Sequence, residues 1–416
     1  MWAGVRAKGA KENPMRILIA GDYPADARLG SSKVAYKLCS AFRALGHFCQ
    51  TLFEDDLGTK VIPSRLRWLA APWVGARAVL RTMASQGPFD IVDVSSAEGF
   101  PIAALRRAKR LGATTVISRS HGLEHLNYQR MLKDHDEGLL QKPWHKRLYY
   151  PAVRMSQVGA AARLSDGLIV LNQNDAAFAR QQRWQPEDRV AVIPHGVSEA
   201  FVSAQNAEET PSRGGLLFCG SWTDVKGVAY LAQAFNLLVS EEFKTPLWVV
   251  GGGVEESRIR ACFTDAANIL LNIVPRCSES EVMAHYRTRE LLIFPSTYEG
   301  FGMVVLEAMS QGLPVISTPV GAAAQFVRHL ETGLIVPPRD PVSIANAVKL
   351  LSQDAPLRSR ISIEGKRSVH DRTWSKTAQD TLAFYGHCSR RDVAPRSAGK
   401  HVIAQPTPGS NLEIKA

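Results

Sequence analysis

Residues 295–309 read Pro-Ser-Thr-Tyr-Glu-Gly-Phe-Gly-Met-Val-Val-Leu-Glu-Ala-Met, and they predict a glycine turn that joins a strand to a helix. The apolar residues 291–294 before them are typical of a buried strand, and residues 303–309 contain good helix formers. Glu299 and Glu307 therefore lie on either side of a helix N-terminus. Such a terminus attracts phosphate, and carboxylates accept hydrogen bonds from hydroxyl groups. The stretch predicts a site for a negatively charged ligand that carries hydroxyls.

Two glycines in this turn, Gly300 and Gly302 on either side of Phe301, let a ligand approach the backbone closely. In the alternative interpretation, Glu299 is an exposed turn residue and Glu307 a solvated helix residue, as most glutamates in proteins are. Spacing alone does not decide between the two interpretations.

The composition of the chain is typical of a soluble globular protein with two or three domains. It has 416 residues, of which 45% are hydrophobic and 21% are charged. No apolar run reaches the roughly 20 residues that span a bilayer, and the basic start lacks the apolar segment of a secretory signal. We therefore expect a cytoplasmic protein.

The charged and metal-binding residues narrow the classes of partner. A formal charge of +11 favours anionic partners, namely phosphates, anionic lipid or nucleic acid. No recognised nucleic-acid-binding motif accompanies that charge, so nucleic acid is the least supported of these three classes of partner. The six cysteines include no C-x-x-C pair and no cluster of metal ligands is visible, so we expect no metal and no cofactor.

The order of predicted elements indicates an α/β protein with two doubly wound, Rossmann-like parallel sheets that face each other across a cleft. Strands and helical patterns alternate in both halves of the chain, and ligands of such sheets bind at the carboxyl ends of the strands. The predicted segments are a disordered leader (1–14), a first domain (15–202), a linker (203–215), a second domain (216–370), a terminal helix (371–388) and a disordered tail (389–416).

Residues 220–227, Gly-Ser-Trp-Thr-Asp-Val-Lys-Gly, follow the first strand of the second half and precede a helix. Lys226 is therefore expected near another helix N-terminus, where it can neutralise a phosphate leaving group. The alternative is a solvated lysine in a turn.

Two candidates come from the first domain. His121 follows a predicted strand (114–117) at the sheet edge where ligands bind, although a lone histidine is more often structural than catalytic. Gly30 and Ser31 form a predicted loop before the first helix, and a glycine needed only for its backbone angle explains them equally well.

These motifs resemble the retaining nucleotide-sugar glycosyltransferases of family four (glycosyl transferases group 1), which have the GT-B fold of two domains. The resemblance runs from about residue 15 to residue 385 and is stronger in the second half. It rests on the two glutamates around Gly-Phe-Gly, on Lys226-Gly227, on residues 332–338 and on the last helix around Trp374. In this fold the last helix packs back toward the first domain.

The resemblance implies a metal-independent transfer of a sugar from a nucleoside-diphosphate donor to an acceptor hydroxyl, in polysaccharide or glycolipid assembly. The first domain would bind the acceptor and the second the donor. His121, Glu299 and Lys226 are the implied catalytic residues, with Glu299 and His121 at the donor sugar. The implied donor-binding residues are Gly30, Ser31, Ser221, Lys226, Arg276, Glu299, Gly300, Phe301, Gly302 and Glu307, of which Glu307 would hold the ribose hydroxyls.

The chain departs from the family at Ser221, where the family has an arginine that holds the donor diphosphate together with the lysine. A hydroxyl does not replace a bidentate guanidinium. Arg276, which follows predicted strand 269–274, is the candidate replacement by topology. The alternative is a protein that binds a nucleotide sugar or glycan without turnover. His195 stands in place of the family's asparagine and is interpreted as structure near the hinge.

Basic and aromatic residues cluster in stretches 64–81 and 142–154 of the first domain. Such cationic amphipathic segments predict a peripheral contact with an anionic membrane, at the inner face of the cell membrane, where a lipid-linked acceptor is reached. The alternative is a solvated basic face over an ordinary core.

Overall fold

The structure is a computed structural model that describes residues 13–138, 149–203 and 213–390. Within these ranges the chain forms two six-stranded sheets, each with all of its strands parallel. The predicted pair of doubly wound α/β domains is confirmed.

The first sheet has the strand order β2-β1-β3-β4-β5-β6. The strands between its two edges are almost entirely buried, as expected when helices cover both faces of a parallel sheet. In chain order they are β1 (Arg16–Ala20), β2 (Phe48–Leu52), β3 (Ile91–Ser95), β4 (Thr115–Arg119), β5 (Gly167–Val170) and β6 (Val190–Val192).

The second sheet has the order β12-β11-β10-β7-β8-β9, so the chain reverses its winding direction between β10 and β7. Parallel sheets bind ligands beside such a reversal. The strands are β7 (Leu216–Cys219), β8 (Leu247–Val250), β9 (Leu271–Val274), β10 (Leu291–Phe294), β11 (Val315–Ser317) and β12 (Leu334–Ile335).

The α-helices that precede β7 span Gly30–Ala44, Glu54–Leu57, Ser64–Gln86, Phe100–Arg107, Glu124–Asp136, Ser156–Leu164, Gln173–Gln181 and Glu199–Ser203. Those that follow β7 span Val228–Ser240, Glu256–Arg260, Asp265–Ile269, Glu279–Thr288, Met303–Ser310, Gly321–Phe326, Pro341–Gln353, Ala355–Ser368 and Trp374–Arg390. None of the helices in the described ranges is long and apolar enough to cross a bilayer.

The last helix, Trp374–Arg390, follows the second domain in the sequence but packs on the first domain. Its Trp374, Phe384 and Tyr385 are buried in one cluster with Ile17 and Phe42 of the first domain. The chain therefore crosses back to the first sheet after it completes the second.

The boundaries differ from the predicted ones at two places. The last helix ends at Arg390, so residues 389 and 390 are helical, and the Ser389 hydroxyl lies 3.0 Å from that of Thr115 in β4. At the end of the predicted linker, Arg213 donates to the carbonyl oxygens of Tyr286 and Arg289 in the second domain. Residues 1–12 of the leader, residues 204–212 of the linker and the tail from 391 lie outside the described residues.

Strand β4 extends two residues beyond the predicted end. Arg119, which lies beyond the predicted strand 114–117, is the last residue of β4 and is 1% exposed. It stays inside because its Nε and Nη2 donate to Asp93 Oδ2 at 2.9 and 2.6 Å.

Candidate active site

A cavity of about 790 Å³ lies between the two domains. Residues that follow the carboxyl ends of strands in both sheets line it, where the fold predicts a ligand. It brings together the predicted site residues Gly30, Ser31, His121, Ser221, Lys226, Arg276, Glu299, Phe301, Gly302 and Glu307.

Lys226 and Glu299 form an ion pair in this cavity. Gly227, with φ of +69°, ends the lysine loop, and a Cβ there would lie 2.0 Å from the Pro295 carbonyl oxygen. Because only glycine fits, the lysine loop packs directly on the loop that carries the glutamate. The Lys226 ammonium also lies 5.5 Å from the centre of the Phe294 ring.

The N-terminus of helix Met303–Ser310 faces the same cavity. Gly302 caps it in the left-handed conformation, with φ of +80°, and a side chain there would clash with Glu299 Cγ at 2.9 Å. The first N–H groups of a helix have no partner within it, and they carry the positive end of its dipole. Gly302, Met303 and Val304 line the cavity, so this terminus offers N–H donors to an anion.

Glu307 lies one turn into that helix and is 6% exposed. Its Oε2 accepts a hydrogen bond from the Tyr286 hydroxyl at 3.2 Å. Its Oε1 accepts one from Lys33 Nζ at 2.6 Å, an ion pair that crosses from the second domain to the first. Lys33 also lines the cavity, and the sequence interpretation did not include it.

His121 reaches the cavity from the first domain. Its Nε2 lies 3.1 Å from Ser95 Oγ, while its Nδ1 is buried without a partner among the described residues. Burial and the nearby charge of Arg119 lower the pKa of His121 to about 4. The imidazole is therefore neutral at pH 7 and can exchange a hydrogen bond with a hydroxyl group.

His195 belongs to the cavity wall rather than to hinge structure alone. Its ring lies 6.3 Å from that of His121 and 5.0 Å from that of Phe301, measured between centroids. It also stacks on Trp374 of the last helix at 5.6 Å. Burial, together with the proximity of the His121 ring and of the Arg119 charge, lowers the pKa of His195 well below its usual range. The sequence did contain a signal that His195 lines the cavity, because this residue follows β6 at the carboxyl end of a strand.

Ser221 and Arg276 both reach the cavity wall. Ser221 brings no charge, and its carbonyl accepts the N–H of Thr223 within the turn. The Arg276 side chain lies over Gly253, where a Cβ would meet its guanidinium at 2.7 Å. Arg276 is exposed.

Gly30 and Ser31 form the first turn of helix Gly30–Ala44 instead of the predicted loop. Gly30 is not among the glycines with positive φ, so its backbone angle does not require glycine. A Cβ at Gly30 would meet nothing within 4 Å. This second helix N-terminus therefore borders open space in the cavity.

Gly300 is the one predicted donor contact that does not reach the cavity wall. A Cβ at Gly300 would lie 2.0 Å from the carbonyl oxygen of His121 and 2.9 Å from Gly122 Cα. Its own carbonyl oxygen accepts a hydrogen bond from the Asn172 amide at 3.1 Å. Gly300 therefore serves the contact between the domains, because that contact occupies the space a ligand would need.

Several basic and aromatic residues in the stretches predicted to face a membrane are held by contacts within the protein. Arg67 pairs with Asp22 and Glu54, and Trp68 packs against the rings of Tyr149 and Tyr150 at 5.9 and 5.0 Å. The Arg154 side chain is largely buried between Glu98 and Glu124. Residues 139–148 lie outside the described residues.

Helix Ser64–Gln86 does expose an apolar stripe. Leu66, Leu69 and Trp73 are 54%, 45% and 58% exposed, and the exposed Arg77 and Arg81 continue the same face.

No group of three or more metal-ligating side chains is arranged to hold a metal ion within the described ranges.

Two protein-family models match the chain, one in each domain. The model described as Glycosyltransferase Family 4 matches residues 30–201, and the model described as Glycosyl transferases group 1 matches residues 204–368. The two matches adjoin near the predicted linker.

Curated relatives are similar in sequence to parts of the chain. A D-inositol 3-phosphate glycosyltransferase of Pseudarthrobacter chlorophenolicus is 29% identical over 58% of this chain and 61% of its own length. The capsular polysaccharide biosynthesis glycosyltransferase CapM of Staphylococcus aureus is 32% identical over 38% of this chain and 41% of its own. The match thus spans about half the length of such relatives.

Solved structures share the fold over most of the chain. The sucrose-phosphate synthase of Thermosynechococcus elongatus superimposes with a TM-score of 0.74 and 19% identity, and covers 90% of this chain and 100% of its own. The Anabaena protein HepE, solved in complex with UDP, has a TM-score of 0.63 and 14% identity, and covers 90% and 100%. At such identities the likeness concerns the fold.

Proposed function

The chain belongs to the group 1 glycosyltransferases of family 4, and on that premise we propose that it moves a sugar from a nucleoside-diphosphate donor to an acceptor hydroxyl with retention of anomeric configuration. The observation that carries this proposal is the convergence of Lys226, Glu299 and Glu307 in one cavity beside a helix N-terminus.

The chemistry separates an anionic leaving group from a developing oxocarbenium ion. The bond between the anomeric carbon and the phosphate oxygen breaks, a bond to the acceptor oxygen forms, and the acceptor's proton passes to the departing phosphate. Lys226 and the N–H groups at the start of helix Met303–Ser310 stabilise the charge on that phosphate. Since both are fixed by glycine-dependent turns, they need little reorganisation during the reaction.

The carboxylates and His121 bind the hydroxyl-bearing ends of the donor. Glu307 accepts hydrogen bonds from the ribose hydroxyls, and Glu299 accepts them from the sugar. The neutral His121 contacts the sugar from the first domain. Its Nδ1, which has no partner among the residues that the structure describes, is the atom available to the sugar. Donor binding therefore uses both domains, and transfer requires that they stay together.

The acceptor in this proposal is a glycan or a lipid-linked glycan. The relative CapM, whose description places it in capsular polysaccharide biosynthesis, supports that class. A cytoplasmic protein that meets a lipid-linked acceptor works at the inner face of the cell membrane.

A panel of UDP-, GDP- and ADP-sugars tests the proposal. We expect one donor class to release its nucleoside diphosphate at a rate that depends on the protein and rises with a suitable acceptor. The anomeric configuration of the product, measured by proton NMR coupling constants, should equal that of the donor. An inverted product would contradict retention.

Ser221 favours one alternative, a protein that binds a nucleotide sugar without turnover, because the family's second phosphate-binding cation is missing there. Calorimetry with the same panel distinguishes the two functions. Tight donor binding combined with no sugar release from any donor, with or without acceptor glycans, would establish the binder and overturn the transferase.

The exposed stripe on helix Ser64–Gln86 supports peripheral contact with an anionic membrane. Leu66, Leu69 and Trp73 would enter the interface while Arg77 and Arg81 meet lipid phosphates. We expect co-sedimentation with phosphatidylglycerol vesicles and little with phosphatidylcholine.

Trp73→Ser should reduce that co-sedimentation several-fold. Leu350→Ser, an equally drastic change at a site 42% exposed on the second domain, is the matched control and should leave it intact. Equal binding by both variants would contradict the assignment of this face.

A further inference from the structure

Lys33 is a buried cation of the first domain that reaches into the donor cavity. It lies in the first turn of helix Gly30–Ala44, and its Nζ is 2.6 Å from Glu307 Oε1. The side chains of Lys33 and Glu307 are only 15% and 8% exposed. The two residues are 274 positions apart and belong to different domains, so the ion pair joins the walls of the cleft.

The lysine is charged at neutral pH. Burial alone would favour the neutral amine, but the carboxylates of Glu307 and Glu279 outweigh it and raise the pKa of Lys33 above its usual value. A charged amine with this little contact with water needs an anionic partner at all times.

Other cations at the cavity wall are less suited to a phosphate in its centre. Arg28 is 57% exposed and held by Asp26 at 2.9 Å. Arg276 is exposed and lies over Gly253. Lys226 is already assigned to the diphosphate by its motif, and Ser221, its expected partner, carries no charge. Among the cavity-lining residues that the structure describes, Lys33 is the most buried cation without an assigned ligand.

We propose that Lys33 binds the donor diphosphate and supplies the second cation that Ser221 does not. The inference rests on the proposed function and deepens it, because it assigns part of the diphosphate site to the first domain. The ligand class is a nucleoside diphosphate or its sugar ester.

The charges at the cavity wall fit such a ligand. Lys33 pairs with Glu307 and Lys226 pairs with Glu299, so the cavity wall carries two ion pairs. A nucleotide sugar has hydroxyls at both ends and two phosphates between them. Ribose hydroxyls donate to Glu307 and sugar hydroxyls to Glu299, while phosphate oxygens accept from both lysines. Each buried charge therefore exchanges one partner for another and none is left alone.

The Tyr286 hydroxyl stays on Glu307 Oε2 in this exchange and keeps the carboxylate oriented. Because Lys33 starts from a helix of the first domain, the phosphates then hold the two domains together. Donor binding and domain contact become a single event, which a cation at position 221 of the second domain would not provide.

The test compares nucleoside diphosphate with nucleoside binding in the full chain. Calorimetry selects the tightest of UDP, GDP and ADP for the wild type, and the matching nucleoside is then measured by competition. Lys33→Met removes the charge and keeps much of the volume. We expect it to weaken diphosphate binding by roughly tenfold or more, since a charge-assisted hydrogen bond is lost. Nucleoside binding should change less than twofold.

Two further variants make the result specific. Lys37→Met removes a similar interdomain pair, with Glu279 at 2.9 Å, one turn along the same helix. Lys37 itself does not line the cavity, although Glu279 does, so this variant should leave the ratio of the two affinities unchanged. Ser221→Arg added to Lys33→Met restores the family's cation and should recover most of the diphosphate affinity.

The outcomes separate the inference from the proposed function. If the wild type binds a nucleoside diphosphate and Lys33→Met binds it equally well, Lys33 is not a phosphate ligand although the donor site stands. If diphosphate and nucleoside binding fall by the same factor, Lys33 acts only by holding Glu307, and the inference is overturned. If the wild type binds none of the three nucleoside diphosphates, the proposed function fails and the inference with it. Unchanged nucleoside affinity in Lys33→Met also shows that the variant is folded.

Discussion

The carbonyl oxygen of His121 packs against Gly300 across the cleft, so closely that a Cβ on residue 300 would lie 2.0 Å from it. Gly300→Ala must therefore move the turn that carries Glu299 or displace His121. We expect this variant to lower the rate of sugar transfer by roughly 100-fold, because a shift of about 1 Å at a reacting centre has that effect. The initial rate of nucleoside diphosphate release measures it.

Gly214→Ala is the matched control for this substitution, since a Cβ there would meet nothing within 4 Å. It should keep both the rate and the melting temperature of the wild type. Transfer by Gly300→Ala at the rate of Gly214→Ala would show that the contact does not set the geometry of the site.

Glu307→Ala removes the carboxylate that we assign to the ribose. A hydrogen bond to a charged group contributes about 1.5–3 kcal/mol, so the wild type should prefer a ribonucleoside diphosphate over its 2′-deoxy and 3′-deoxy analogues by roughly tenfold or more. We expect the preference to disappear in Glu307→Ala, as measured by calorimetry. The preference for ribose, rather than the affinity itself, tests the assignment, because the same substitution also removes the ion-pair partner of Lys33.

Glu299→Ala is the control for the ribose assignment. Its carboxylate is assigned to the sugar, so this variant should lose transfer but keep the preference for ribose. A preference that survives in Glu307→Ala would assign ribose recognition to another residue.

Removal of divalent metal should not affect transfer. Lys226, Lys33 and the N-terminus of helix Met303–Ser310 supply the positive charge that the leaving diphosphate requires. After treatment with EDTA and gel filtration, we expect a rate within twofold of the untreated protein. A lost rate that returns when magnesium or manganese is added would contradict metal independence.

The local features of the fold and the site were predictable from the sequence. Apolar runs such as 291–294 become buried strands because periodicity and turn residues act over a few positions. Glu299, Lys226 and Glu307 were predicted for the same reason, since each belongs to a short motif next to a strand end.

Features that depend on contacts distant in sequence were not predictable in this way. Lys33 was missed because its partner Glu307 is 274 residues away and no local pattern joins them. Arg119 was placed outside β4 because its partners, Asp93 and Tyr385, come from another strand and from the last helix. Asp93 within an apolar strand was a signal, because a buried carboxylate needs a cation nearby.

Arg119→Met tests the buried pair that joins the first sheet to the last helix. Asp93 Oδ2 accepts from the Arg119 guanidinium and from the Tyr385 hydroxyl. Removing the arginine leaves a carboxylate that is 1% exposed without its cation, so we expect a loss of about 3–5 kcal/mol in the free energy of unfolding. Urea denaturation measures the loss.

Two comparisons identify the cause of that loss. Arg28→Met breaks an exposed pair with Asp26 and should cost far less, because exposed ion pairs contribute little to stability. The double variant Asp93→Val/Arg119→Met removes both charges and should be more stable than Arg119→Met alone. A double variant with no recovery would mean that lost packing, rather than the uncompensated charge, causes the loss.

Asp175 should make the stability of the protein depend on pH. It lies near the start of helix Gln173–Gln181 and is 2% exposed, and its Oδ2 has no partner among the described residues. Burial raises the pKa of Asp175 from 3.8 to about 7, against the hydrogen bonds with Asn172 and Leu123, which lower it. Between pH 4 and pH 7 the folded state therefore holds a proton that the unfolded state has released.

The sign of the effect follows from this difference in bound protons. The raised pKa favours the folded state below about pH 4, and this contribution is lost as the pH rises through 7, by at most about 4 kcal/mol. Asp175→Asn removes the ionisation, so its stability relative to the wild type should increase between pH 5 and pH 8. Urea denaturation at unit steps of pH measures the difference. Asn174→Ala, an exposed change in the same helix without an ionisable group, should shift stability equally at every pH. A pH-independent difference for Asp175→Asn as well would show that the buried carboxyl ionises as it does in water.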